Sequence, residues 1–261
     1  MQSMELPLVL FTVLSQAAIG MVLMSAVRGF AGHESGSARN EWMLVAGLMG
    51  LGIAASLFHL GHPLEAYRAL AHLEKAWLSR EVLAAGVFLA LAAVAAYSGS
   101  GKGALLWGAV AAGLVTVLAS GMTYAPPAFP ALNNALPTVF FLISAVVLGA
   151  GFASWFAGPG SQALLARICT SALVTGLVVR LAVPCVWLSG GEVMRASGLA
   201  WLGSPLYWAG IAAMVACLAV LWKNRTIPAW LPVLALLGEL AGRAAFFADT
   251  VHTALNMGKP F

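Results

Sequence analysis

The chain has 261 residues, 61% of them apolar and 8% charged, where soluble domains carry about 25% charged residues. That balance excludes a water-soluble globular fold and points to a polytopic, all-α membrane protein. The formal net charge of +4 comes from thirteen Lys and Arg spread along the chain without a run of three, so it reads as loop charge that sets orientation, and no nucleic-acid partner is expected.

A spanning helix needs roughly 20 mainly apolar residues. Eight stretches qualify: 6–27, 42–60, 81–98, 104–124, 137–157, 163–183, 205–222 and 228–248. Together they make residues 1–261 a single integral-membrane domain. Residues 1–7 hold one charge, Glu5, and no basic region, so the first span is expected to be retained rather than cleaved. The eight predicted spans put both termini on one side. Lys102 and the Lys223/Arg225 pair sit in tight turns that rarely carry charge across a membrane, which favours a periplasmic location for both termini.

Between the second and third spans, residues 61–80 are patterned. Pro63 can start a helix, and Leu64, Tyr67, Leu70, Leu73 and Trp77 follow at helical spacing, with Glu65, Arg68, His72 and Lys75 on the other face. An amphipathic helix is predicted here, lying in the headgroup plane or receiving a partner. The spans on either side cross in opposite directions, so His59 at the end of one and Glu81 at the start of the next come to the same membrane face. An imidazole beside a carboxylate at an interface can accept and relay protons. Each also has a plainer reading. His59 suits the negative end of a helix dipole, and Ser79 with Glu81 suits ordinary helix capping.

Tyr124-Ala-Pro-Pro-Ala-Phe-Pro closes the fourth span and Asn133-Asn opens the fifth, a proline-fixed turn whose Tyr and Asn can line a pocket mouth. Trp187, Trp201 and Trp208 read as interface belt. Arg180 is a further ionisable residue at membrane depth. In the last span Glu239 and Arg243 are four apart on one helix face, with Glu239 about 16 Å from Pro228 at 1.5 Å per residue. They are expected to form a structural ion pair that pins one helix to another. Asp249 and His252 lie where that span emerges.

No metal is expected on this chain. Cys169, Cys185 and Cys217 are isolated, without a CxxC. Haem is held by facing His pairs, and none of His33, His59, His62, His72 or His252 lies in mid-span.

Three runs carry a resemblance: Ser-Leu-Phe-His59-Leu-Gly61-His-Pro63, Leu-Ser79-Arg-Glu81, and Gly238-Glu239-Leu-Ala-Gly242-Arg243. In order and spacing the chain resembles the membrane-anchor subunits of dimethyl sulfoxide reductase, which belong to the wider anchors of molybdopterin oxidoreductases. It departs from their pattern where Trp208-Ala209 stand near the place of an Arg, and in the sequence after Tyr124. The resemblance implies a haem-free anchor in the bacterial inner membrane. Such an anchor oxidises quinol and passes electrons to a periplasmic iron–sulfur subunit, which feeds a molybdopterin catalytic subunit. It also implies that His59 and Glu81 lie at the quinol site. The expected pocket for menaquinol or a related quinol comprises His59, Gly61, Pro63, Arg80, Glu81 and Tyr124. A rival from another class is a secondary transporter or proton conductor, which predicts charge strung through the bilayer and helices broken at mid-depth.

Overall fold

Long apolar runs in a medium without hydrogen-bonding partners leave the backbone one answer, a helix that satisfies its own N–H and C=O groups. The computed structural model describes residues 6–33, 38–58, 63–224 and 226–256, and among them it contains nine α-helices and no strand. They are α1 Leu6–Phe30, α2 Ala38–Leu57, α3 Trp77–Ser98, α4 Ala104–Thr123, α5 Leu136–Ala153, α6 Pro159–Leu188, α7 Glu192–Gly203, α8 Pro205–Lys223 and α9 Leu231–Ala248. All but α7 are long and apolar enough to cross a membrane. The near face, where α1 starts, also holds the ends of α2, α4, α6 and α9. The far face holds the opposite ends.

α1 and α5 form the centre of the bundle. Two thirds of the most apolar window of each is buried (67%), against 28–44% in the other spans. Their backbones touch because both carry glycine at the crossing. A Cβ on Gly20 would lie 1.8 Å from the Ala145 carbonyl oxygen, and one on Gly149 would lie 2.2 Å from the Gly20 carbonyl carbon. Without a hydrophobic force between helices in lipid, such close approach is a main source of association. At the far face a buried ion pair between Arg28 and Glu41 ties the end of α1 to the start of α2.

Four details differ from the sequence-based expectation. The predicted helix over 63–77 is a 3-10 helix at Pro63–Leu70 followed by turns, with α3 beginning at Trp77. Arg80 reaches back from α3 to donate to the carbonyls of Leu73 (2.9 Å) and Glu74 (2.6 Å), and its guanidinium lies 4.3 Å from the Trp77 ring centre. Those bonds tie the turn at Leu73 and Glu74 to the first turns of α3. Second, Ser79 is not an N-cap: Ala76 holds that position with no side-chain bond.

Third, α6 does not end before Pro184 but runs through it to Leu188. Proline supplies no N–H to the carbonyl four residues back, and the Tyr207 hydroxyl donates to that orphan, the Arg180 carbonyl, at 2.8 Å. Fourth, the stretch after α6, expected as a loop, contains α7. Trp201 of α7 packs against Trp187 with ring centres 4.8 Å apart and donates from Nε1 to Thr250 Oγ1 at 3.1 Å. Trp187 and Trp201 are therefore core residues, and of the three tryptophans only Trp208 is exposed.

Candidate functional site: a buried carboxylate in a near-face cavity

Glu81 stands in the second turn of α3, past the reach of a capping role, and is 1% exposed. Ser120 of α4 donates to its Oε1 at 2.7 Å, while its Oε2 has no hydrogen-bond partner. No cation pairs with it among the described residues. A carboxylate inside a membrane protein with a free oxygen and no counter-ion is costly and demands an explanation.

The surroundings supply one. Glu81 borders a cavity of about 720 Å³ enclosed by α1, α2, α3, the 3-10 turn and the end of α4. Of its lining side chains only Ser56, Glu81, Thr123 and Tyr124 carry a polar atom; the others, Phe11, Ile53 and Leu78 among them, are apolar. Small-molecule sites span about 300–1,000 Å³ and have this composition, apolar walls with a few polar groups.

Tyr124 follows α4, four residues after Ser120 and so on the same side of the helix axis. Its ring is held edge-on against Phe141 and Phe247, with centroids 5.8 and 5.1 Å away. Its hydroxyl can donate one hydrogen bond. The site thus sets the Glu81 carboxyl, its Oε2 almost wholly buried, and the Tyr124 side chain in the wall of a largely apolar chamber, with the Ser56 and Thr123 hydroxyls committed as donors to backbone carbonyls.

Of the expected pocket residues, the structure brings Glu81 and Tyr124 together. Arg80 is not in the cavity wall; its guanidinium is committed to the Leu73 and Glu74 carbonyls. Pro63 starts the 3-10 turn whose far end, Ala69 and Leu70, lines the cavity. His59 and Gly61 lie outside the described residues, as does His62. The chain leading to His59 does reach the site, because Ser56 and Leu57 line it. Ser120 was not anticipated, and the only available signal was its four-residue spacing from Tyr124.

The deep charges form a separate centre. Glu239 bonds Arg180 of α6 through Oε2 at 2.6 Å, rather than Arg243 directly as expected. Arg243 instead donates to Gln16 Oε1 (2.8 Å) and Ser144 Oγ (3.0 Å), and Ser144 donates to Glu239 Oε2 (2.6 Å). Gly242 is the reason. A Cβ there would lie 2.2 Å from Arg180 Nη1, so its bare backbone admits the guanidinium of α6 to the carboxylate. The adjoining cavity is only about 10 Å³, bordered by Arg180, Gly242 and Arg243. That is room for about one water molecule and none for a substrate. Asp249 caps the end of α9, and the His252 ring packs on Phe129 with centroids 4.9 Å apart. No cluster of three potential metal ligands occurs among the described residues.

An all-helical bundle with eight helices long and apolar enough to cross a bilayer defines a multi-span membrane protein, here with a largely apolar chamber near one face. The sequence model of the DMSO reductase anchor subunit (DmsC) family matches residues 1–186. The chain belongs to that family. It is 31% identical over 158 residues to the YnfH chain of anaerobic dimethyl sulfoxide reductase from Escherichia coli (strain K12), covering 56% of this chain and 55% of that protein. It is 33% identical over 155 residues to the C subunit of anaerobic dimethyl sulfoxide reductase from Haemophilus influenzae, with the same two shares. The matched region thus spans about half the length of these relatives.

Proposed function

We propose that this chain is the quinol-oxidising membrane anchor of a dimethyl sulfoxide reductase-type molybdopterin oxidoreductase, seated in a bacterial inner membrane. The observation that carries the reading is the buried Glu81 carboxyl, without a counter-ion among the described residues, in the wall of an otherwise largely apolar chamber. Quinol, for which menaquinol is the expected form, enters from the lipid between α2 and α3. One hydroxyl bonds the Glu81 carboxylate as its side chain turns into the chamber, and the Tyr124 hydroxyl donates to a quinol oxygen. Oxidation to the quinone releases two protons and two electrons. Glu81 takes a proton as general base, a role worth about 10²–10⁴-fold in rate, and His59 receives or relays the second. The electrons pass to an iron–sulfur subunit docked over the 63–76 segment, where Tyr67, Leu70 and Leu73 are exposed. That subunit supplies the molybdopterin subunit, where the terminal reduction takes place. With the near face periplasmic, the protons are released on the side where that reduction consumes them.

The test is quinol oxidation by membranes carrying Glu81→Gln or His59→Ala, with assembly checked by co-purification of the partner subunits. Each variant is expected to assemble and to lose at least about 100-fold in turnover. Normal turnover in both removes the site.

A further inference from the structure

Arg28, Arg80, Arg180 and Arg243 are each bonded to a carboxylate, a carbonyl or another polar side chain. Arg167 of α6 differs: it is exposed, with no hydrogen bond or ion pair among the described residues. Two cavities meet at Arg167 and Ser171. One, about 450 Å³ between α5 and α6, is walled by Leu142, Ile143, Val146 and Ile168 and reaches Thr175. The other, about 430 Å³ between α6 and α8, is more polar and includes Thr170 and Asn224.

Asn224, which caps α8, fixes the depth. α8 has 19 residues, a length of about 28 Å against a hydrocarbon thickness of about 30 Å. Arg167 therefore sits level with the far-face headgroups, and the exposed Lys223 adds a second cation at that level. Thr175 lies about 12 Å further along α6 toward the bilayer centre. A cationic cup thus stands above an apolar trough that descends into the acyl region.

We propose that this junction binds an anionic phospholipid, its phosphate on Arg167 and the exposed Ser171 hydroxyl that lines both cavities and one acyl chain in the α5–α6 trough. Basic pockets between spanning helices hold anionic headgroups in this manner. A free phosphate would use the cation and leave the trough without a role.

The test uses the full chain purified in mild detergent, with its unfolding temperature read against added phosphatidylglycerol, phosphatidylcholine or inorganic phosphate. Phosphatidylglycerol is expected to stabilise the protein, and the other two are not. Arg167→Gln and Thr175→Trp, which blocks the trough from an exposed position, should each raise the half-saturating phosphatidylglycerol at least tenfold. Arg39→Gln, an exposed far-face cation on α2, should not. Each variant's unfolding temperature without lipid reports its folding. Unchanged phosphatidylglycerol response in Arg167→Gln overturns the site. An effect of Arg167→Gln without one of Thr175→Trp, or equal protection by inorganic phosphate, overturns the lipid as occupant.

Discussion

Removing Glu239 should destabilise this protein more than removing Arg180, although the two are partners in one salt bridge. The asymmetry follows from counting charges in the cluster. Two buried guanidiniums, Arg180 and Arg243, share one carboxylate, with Ser144 and Gln16 as the neutral members. Glu239→Gln leaves two cations and no anion, and breaking a buried pair from one side costs about 3–5 kcal/mol. Arg180→Gln leaves one cation and one anion joined through Ser144, so its cost is that of unsatisfied hydrogen bonds, about 1–3 kcal/mol. The assay is unfolding of the detergent-purified chain by denaturing detergent, followed by far-ultraviolet circular dichroism. The double variant completes a thermodynamic cycle, and the paired residues should couple by about 0.5–3 kcal/mol. If Arg180→Gln proves as costly as Glu239→Gln, the charge count does not govern the cluster.

Three further outcomes are expected. Ser120→Ala should lower kcat/KM for quinol by about 10–100-fold, since a hydrogen bond to a charged group is worth about 1.5–3 kcal/mol. Ser120→Thr should restore it; a merely structural role would lower the unfolding temperature and leave kcat/KM of the assembled complex alone. Tyr207→Phe leaves the Arg180 carbonyl orphaned at the Pro184 gap and should cost about 1–3 kcal/mol in the same unfolding assay, with turnover intact. Gly149→Leu forces α1 and α5 apart where their backbones touch, and blue-native electrophoresis should show loss of assembled protein; wild-type levels would mean the crossing is not needed.

The spans were legible because hydropathy and length alone decide them, and all eight appear. The failures share a cause: local rules were overridden by a distant side chain. Pro184 reads as a helix end, but Tyr207, 23 positions later, supplies a donor where proline cannot. The 63–77 pattern reads as one amphipathic helix, but it forms a 3-10 helix and turns that Arg80 ties to α3. Trp187 and Trp201 read as belt because tryptophan favours interfaces, and α7 folds over them instead.

The site was half legible for a related reason. Rarity of charge at membrane depth marks Glu81, Arg180, Glu239 and Arg243 alike; the hairpin singled out Glu81 and the four-residue spacing paired Glu239 with Arg243, but nothing in the sequence joined Arg180 to Glu239. Counter-ions and space separate them. Arg180 is paired with Glu239, and Arg243 reaches Glu239 through Ser144 and also bonds Gln16, beside a cavity of about 10 Å³, which is the arrangement of a clamp. Glu81 has no cation beside it among the described residues and borders about 720 Å³ of largely apolar space, whereas both carboxyls, Glu81 and Glu239, leave one oxygen unpartnered. A buried acceptor left without a partner is a net loss to folding, and at Glu81, unlike Glu239, the space beside it is large enough for the quinol of the proposed function to offset that loss.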